Sequence, residues 1–278
     1  MSTENYGKWG CPQPKNEIPG RIPFNLKKYQ AELHIHTVLS PCAGIEMIPP
    51  LIVRKAVELG LNLIAITDHN AGDNVSAVIE AARDKDLTVL PGMELQTEEE
   101  VHCLCLFDTL EQLGELQALV DRSLPPIQNN VEFFGEQFVV DSTGDFIRRK
   151  EQLLITSAKL SIEEAFHAVR NLGGLFIPAH VNRQAFGLIY HLGFVPTDLD
   201  LIALEISRHI TPEQARQDYP QLQQYPLIQS GDVHFLDDFL GINQFLLNEP
   251  TINELKMAFK GEKGRQFCLK PGFDDSQP

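Results

Sequence analysis

Short apolar runs recur along the chain at 31–37, 62–67, 87–91, 101–107, 175–179, 201–206 and 226–230. Amphipathic stretches lie between many of them, at about 48–60, 72–85, 110–122, 161–172 and 212–218. Few architectures satisfy that alternation. Strands apolar on both faces and separated by helices predict parallel β/α units, with the helices covering the sheet. With 43% hydrophobic residues over 278 positions, the chain can bury a sizeable core.

The ends of these runs carry chemistry. Run 31–37 holds His34 and His36, and a strand points residues two apart to one face, where two imidazoles can share a divalent ion. Run 62–67 leads into Asp68-His69, and run 87–91 into Gly92-Met93-Glu94. Run 175–179 is followed by His180 and Arg183, run 201–206 by Ser207 and Arg208, and run 226–230 by Gly231-Asp232-Val233-His234. In a β/α barrel the carboxyl ends of the strands gather at one face, which hosts the active site. The pattern predicts a metal-binding cluster assembled from distant parts of the chain.

Each residue also has a plainer reading when taken alone. One of His34 and His36 could be a satisfied core residue, and Asp68 a capping carboxylate. His102 opens its run instead of ending it, so its spacing reads as a core or edge histidine. Cys103 and Cys105 alternate with leucines and read as small buried hydrophobes. His167, His191 and His209 read as isolated surface or packing residues.

Charge narrows the partners. The formal net charge of -15 disfavours a broad grip on a nucleic acid backbone, which needs many Lys and Arg. A small phosphorylated substrate needs only a local positive site. Five dispersed cysteines, no secretory signal and no apolar run near the ~20 residues of a membrane span predict a cytoplasmic protein without structural disulfides. Residues 1–30 read as an extended arm, with Trp9 and Phe24 as anchors, and residues 31–268 as one domain. The excursion 123–160, with hairpin-like Phe138-Val-Val-Asp-Ser-Thr-Gly144, reads as either a lid or a surface insertion. Residues 269–278 read as a flexible tail.

The set His34-Ile-His36-Thr37, Ile66-Thr-Asp-His69, Pro91-Gly-Met-Glu94, Val101-His102, Pro178-Ala-His180 and Gly231-Asp232-Val-His234 resembles the polymerase and histidinol phosphatase (PHP) family. The resemblance implies a distorted, seven-stranded (β/α) TIM-like barrel holding two or three Zn, Mn or Fe ions. It implies that His34, His36, Glu94 and Asp232 bind a first ion. Glu94 would bridge to a second, completed by His102 and His180, which reverses the spacing-based reading of His102. His69 and His234 would hold a third. One position departs from the family's pattern: in Leu39-Ser-Pro-Cys42-Ala-Gly44, Cys42 stands near where relatives often place Asp or His. Either Cys42 ligates as a thiolate, favouring softer ions, or it is inert and the third site is weak.

The activity so implied is hydrolysis of a phosphate ester of a small metabolite, nucleotide or oligonucleotide end. His69, Glu94, His234 and Arg183 would serve catalysis, and Arg183 and Arg208 would fork onto the phosphate. Two alternatives stand beside it: a non-catalytic, metal-stabilised scaffold, and an amidohydrolase. The second normally uses a strand-end lysine, which this chain lacks among its predicted barrel strands.

Overall fold

The computed structural model describes residues 25–270. Its strands are β1 (Lys27–Ile35), β2 (Leu63–Ile66), β3 (Thr88–Gln96), β4 (His102–Leu106), β5 (Phe138–Val140), β6 (Phe146–Arg149), β7 (Leu175–Pro178), β8 (Leu204–Ile206), β9 (Leu227–Gln229), β10 (Asn243–Leu247) and β11 (Gln266–Leu269). The α-helices are α1 (Pro49–Glu58), α2 (Val75–Ala81), α3 (Leu110–Ser123), α4 (Val131–Phe134), α5 (Ile162–Asn171), α6 (Leu188–Leu192), α7 (Pro212–Asp218) and α8 (Ile252–Lys260). All seven apolar runs of the sequence are strands. Local signals start the helices: prolines open α1, and capping boxes Thr109–Gln112 and Ser161–Glu164 satisfy the first amides of α3 and α5.

Seven strands form one curled sheet in the order β11-β10-β1-β2-β3-β4-β7. The strands β1, β2 and β3 are parallel, as the alternation predicts. The others correct the expectation of a regular barrel. Strand β4 runs antiparallel to both β3 and β7, and β10 and β11 add antiparallel strands beside β1 that the sequence reading did not identify. The parallel pair β8–β9 stands outside the main ladder. It is joined at one side by Val181 N–H to Glu205 O (2.8 Å) and at the other by His36 N–H to Val233 O (2.9 Å) and Val233 N–H to His34 O (3.0 Å). The result is a half-barrel bridged by loops, not a continuous cylinder.

Both faces of the sheet are buried, which is why its strands read as unbroken apolar runs. Leu33, Leu63, Leu104, Ile177 and Ile228 pack in one cluster with Phe245 of β10 and Leu255 of α8. Ile35, Ile64, Met93, Leu95, Cys103 and Cys105 pack in the other, against Ile52, Val78, Leu116 and Val169 from the helices. Burial pushes the thiols of Cys103 and Cys105 well up, consistent with inert packing residues. The register of β1 on β2 shifts between Glu32 and Ile35, so Leu33 and Ile35 face different clusters. Such irregularities re-aim side chains next to functional sites.

Residues Lys27–Gln30, read from the sequence as part of an arm, are the first residues of β1 and pair with β10. The anchors Trp9 and Phe24, and residues 271–278 of the tail, lie outside the described residues. Cys268 is disulfide-bonded, which corrects the expectation of no disulfide; Cys42, Cys103 and Cys105 are free. The excursion 123–160 carries α4 and the expected hairpin, β5–β6. It is tied to the loops after β1 and β2: Phe138 N–H donates to Val38 O at 2.9 Å, and the Asn70 amide donates to Leu154 O (2.7 Å) and Thr156 O (2.8 Å).

Candidate metal centre

The backbone sets Glu94 at the hub. Inner-face residues of β3 alternate, so Glu94 points away from Met93 and Leu95 and toward the rim above Leu104, its partner on β4. Asn70 N–H donates to Glu94 O (2.9 Å) and Glu94 N–H to Asp68 O (3.0 Å), placing His69 alongside. Five imidazoles surround this one carboxylate. His69 Nδ1 and His102 Nδ1 each lie 2.9 Å from it, His180 Nε2 3.1 Å, His34 Nε2 3.2 Å and His36 Nε2 3.4 Å. All five histidines and Glu94 are buried.

His102 reaches this hub from the start of its strand. Because β4 is antiparallel to β3, its first residue, His102, pairs with Gln96, near the end of β3. Strand β7 reverses direction again, so His180 follows its carboxyl end at the same rim. His180 and Asp232 turn onto the centre through left-handed backbone, at φ of 31° and 50°, a conformation that costs free energy for residues other than glycine.

The donor atoms fit divalent ions. His34 Nε2, His36 Nε2, Glu94 and Asp232 Oδ1 converge, with separations of 3.1–3.4 Å among the measured pairs. Ligands about 2.1 Å from a tetrahedral ion would stand roughly 3.4 Å apart. His69, Glu94 and His102 form a second convergent set, and His36, His69 and His234 a third. His69 Nδ1 and Glu94 Oε2 lie 2.9 Å apart yet neither makes a hydrogen bond, as expected of atoms aimed at a shared cation and not at each other. Charge is divided among these groups in the protein alone: against burial, Glu205, Glu94 and Asp232 hold His34 well above the usual imidazole range, and Cys42 and Glu94 do the same for His69. Burial opposes charge on Glu94, but His102, His34 and His69 hold it well below the usual carboxylate range. Burial, then His234 and His69, drive His36 well down, leaving a neutral imidazole fit for ligation. Burial takes His102 down to about 4 against the pull of Glu94.

Four predicted residues stand differently, and the first, His180, reaches Glu94 at 3.1 Å but belongs to none of the three convergent sets. Cys42 is exposed on its solvent side, and its Sγ belongs to none of the three convergent sets. Burial of the sulfur acts to raise its pKa, but the adjacent His69 and His234 bring it down to about 6. Arg183 Nη1 donates to Asp232 Oδ2 at 2.6 Å, on the side of that carboxylate away from His34 and His36. Arg208 Nη1 donates to Gly231 O (3.3 Å), Asp238 O (3.2 Å) and Asp238 Oδ1 (2.9 Å), bracing the loop that carries Asp232 and His234. Both arginines line a cavity of about 510 Å³ together with His180, Glu205, Ser207, His209 and Asp232.

Supporting groups stand behind the donors, among them Asp68, read from the sequence as a capping carboxylate. Asp68 accepts from Thr37 N–H (2.6 Å), Thr37 Oγ1 (2.8 Å) and Ser40 Oγ (2.7 Å), and Ser40 Oγ lies 3.0 Å from His36 Nδ1. Glu205 contacts His34 Nδ1 at 2.9 Å and accepts the His180 N–H at 3.1 Å. Buried Glu32 accepts from Gly231 N–H (2.9 Å), Leu240 N–H (2.9 Å) and Gly241 N–H (2.8 Å). Burial pushes Glu32 up to about 7, against those three donors. Its one visible signal was a charged residue inside an apolar strand. His209, read as peripheral, is exposed and lines the cavity. Phe186 stacks on His102 with ring centres 4.4 Å apart.

A half-barrel whose rim gathers His, Glu and Asp from most of its strands is an α/β fold with side-chain sets that could hold metal ions. The PHP domain family matches residues 32–171, just over half of the chain, and the chain belongs to that family. The uncharacterized protein YqxK of Bacillus subtilis (strain 168) is 22% identical over 283 residues, covering 90% of this chain and 66% of YqxK. The fold is similar to the lesion-specific endonuclease PfuEndoQ from Pyrococcus furiosus (TM-score 0.67, 22% identity), covering 89% of this chain and 60% of that one. It is also similar to a Bifidobacterium adolescentis protein assigned as a metal-dependent phosphoesterase (TM-score 0.52, 20% identity), with 74% of this chain and 88% of that chain covered. The chain thus spans less than two thirds of YqxK and of the endonuclease.

Proposed function

We propose that this chain is a metal-dependent phosphoesterase, hydrolysing a phosphate ester of a small metabolite, a nucleotide or an oligonucleotide end. The observation that carries the reading is the convergence of His34, His36, Glu94 and Asp232 on one point, with Glu94 shared among five imidazoles. His34, His36, Glu94 and Asp232 would hold a first ion; Glu94, His102 and His180, with His69 close by, a second; and His69 and His234 a third, with Cys42 beside it. Such ions, when bound, activate a water and neutralise charge on the phosphoryl oxygens.

The chain's own residues do the rest. Arg183 holds Asp232 through one nitrogen and keeps the remainder of its guanidinium at the cavity, where it can orient a phosphate. Arg208 keeps the wall of that cavity in place through its bonds to Gly231 and Asp238. Where the third position holds no ion, buried His69 or half-buried His234 could protonate the leaving oxygen. A cavity of about 510 Å³ suits one small ligand or a single nucleotide unit. The net charge of -15 supports local recognition over a wide nucleic acid grip. The likeness to PfuEndoQ supports keeping nucleic acid ends among the candidates. No helix among the described residues is long and apolar enough to cross a membrane. A cytoplasmic location remains part of the proposal; the free thiols of Cys42, Cys103 and Cys105 favour it and the bonded Cys268 does not.

The test is metal content by mass spectrometry on anaerobically purified protein, paired with turnover of aryl phosphate monoesters and diesters. Two or three equivalents of Zn, Mn or Fe with chelator-sensitive turnover support the reading. About one equivalent and no turnover of any ester would turn it toward the metal-stabilised scaffold.

A further inference from the structure

Glu205 is a buried carboxylate on β8 that belongs to none of the convergent donor sets. Its Oε2 nevertheless touches His34, a member of the first set, and the backbone of His180, whose Nε2 stands 3.1 Å from Glu94 outside the three sets. It lies 2.9 Å from His34 Nδ1 and accepts the His180 backbone N–H at 3.1 Å. Its own carbonyl accepts Val181 N–H at 2.8 Å, so β8 grips the His180 turn on both sides.

We propose that Glu205 is the positioning residue of the metal centre, presetting one ligand in each of two neighbouring ion positions. The proposal rests on the metal-centre reading above and deepens it. A carboxylate against Nδ1 keeps the proton on that nitrogen. With an ion bound, His34 Nε2 would offer it the lone pair, at the point it shares with His36 Nε2 (3.1 Å away), Glu94 (3.2 Å) and Asp232 (3.3 Å). Neutral imidazole can ligate through only one nitrogen when the other bears hydrogen, so the carboxylate chooses the ligating atom. The second contact acts on the backbone. His180 adopts left-handed φ, and the N–H bond to Glu205 helps fix the turn that brings His180 Nε2 within 3.1 Å of Glu94. One side chain thus couples the set around Asp232 to the set around His102.

The test compares the full chain with Glu205→Ala and Glu205→Gln, titrating each with Zn(II) and Co(II) against a competing chelator. Nitrogen-resolved NMR of labelled histidines reads the tautomer. The Ala variant should bind its tightest ion about 10–100-fold more weakly, the usual effect of removing a carboxylate behind a ligating histidine. His34 should also lose its fixed Nδ1–H form. Both contacts fall on the one oxygen Oε2, so glutamine can keep them and loses only the charge; its affinity should fall about fivefold, roughly the difference between a charged and a neutral acceptor. That variant decides the matter if the Ala form does not fold. A lowered unfolding temperature with unchanged tautomer and affinity would make Glu205 merely structural and overturn the proposal. A parent protein that takes up no ion would overturn the metal-centre reading and this proposal together, whereas a parent that binds tightly beside two unchanged variants sinks the proposal alone.

Discussion

His102 Nδ1 lies 2.9 Å from Glu94 Oε1, although His102 opens its strand and Glu94 sits near the end of the preceding one. The antiparallel turn between β3 and β4 makes the two neighbours, and it makes Glu94 the common partner of both ends of the site. That placement leads to the first two expectations.

Replacing Glu94 with Gln removes the charge that all three convergent sets either share or adjoin. Turnover should fall by more than roughly 100-fold, exceeding the loss typical for outer partners of a metal site. The buried fold should persist, because the amide is isosteric. Steady-state kinetics beside far-ultraviolet circular dichroism would check this; a variant with near-normal turnover would refute the shared-carboxylate assignment.

His102→Gln should act more locally. His102 belongs to the set with His69 and Glu94 and not to the set with His34, His36 and Asp232. Metal content should drop by about one equivalent while the tightest ion stays bound. Loss of every ion from this variant would show that the sets are not separable as drawn.

The loop after β1 hangs on Asp68, whose carboxylate takes three hydrogen bonds from Thr37 and Ser40 with no exposure to solvent. Asp68→Ala leaves those donors buried and unpaired. Each hydrogen bond to a charged group contributes about 1.5–3 kcal/mol, so the variant should lose at least about 2 kcal/mol of unfolding free energy. Urea denaturation of the chelator-treated protein measures it. A loss under half that figure would mean the loop is held by other contacts.

Cys42 should be the reactive thiol among the described residues. Its sulfur is opposed by burial, yet His69 and His234 lower its pKa to about 6, while Cys103 and Cys105 are buried with raised values. The thiolate is the nucleophile, so a lowered pKa moves reactivity toward acid. In metal-free protein, iodoacetamide labelling of Cys42 should climb through a midpoint near 6 as pH rises. An ordinary thiol would turn over near ~8.5. Peptide-level mass spectrometry separates the cysteines, and a midpoint near the ordinary value would contradict the placement of those two imidazoles.

What the sequence determined by itself was whatever periodicity and local spacing encode. The alternation of apolar runs specified β1, β2, β3, β4, β7, β8 and β9, since a strand buried on both faces must be apolar throughout. It also placed His34, His36, His69, Glu94, His180, Asp232 and His234 at or just past strand ends, which is where they gather. The tertiary structure decided what depends on strand direction and on contacts across the sheet. Strands β10 and β11 complete the seven-stranded ladder by pairing, which no local pattern announces. His102 is misplaced by spacing because a residue at the start of an antiparallel strand arrives at the same rim as residues at the ends of parallel ones. Glu205 and Glu32 acquire their roles from partners as much as 171 and 209 positions away. A buried carboxylate is defined by the donors that fold around it, and only the closed chain brings those donors together.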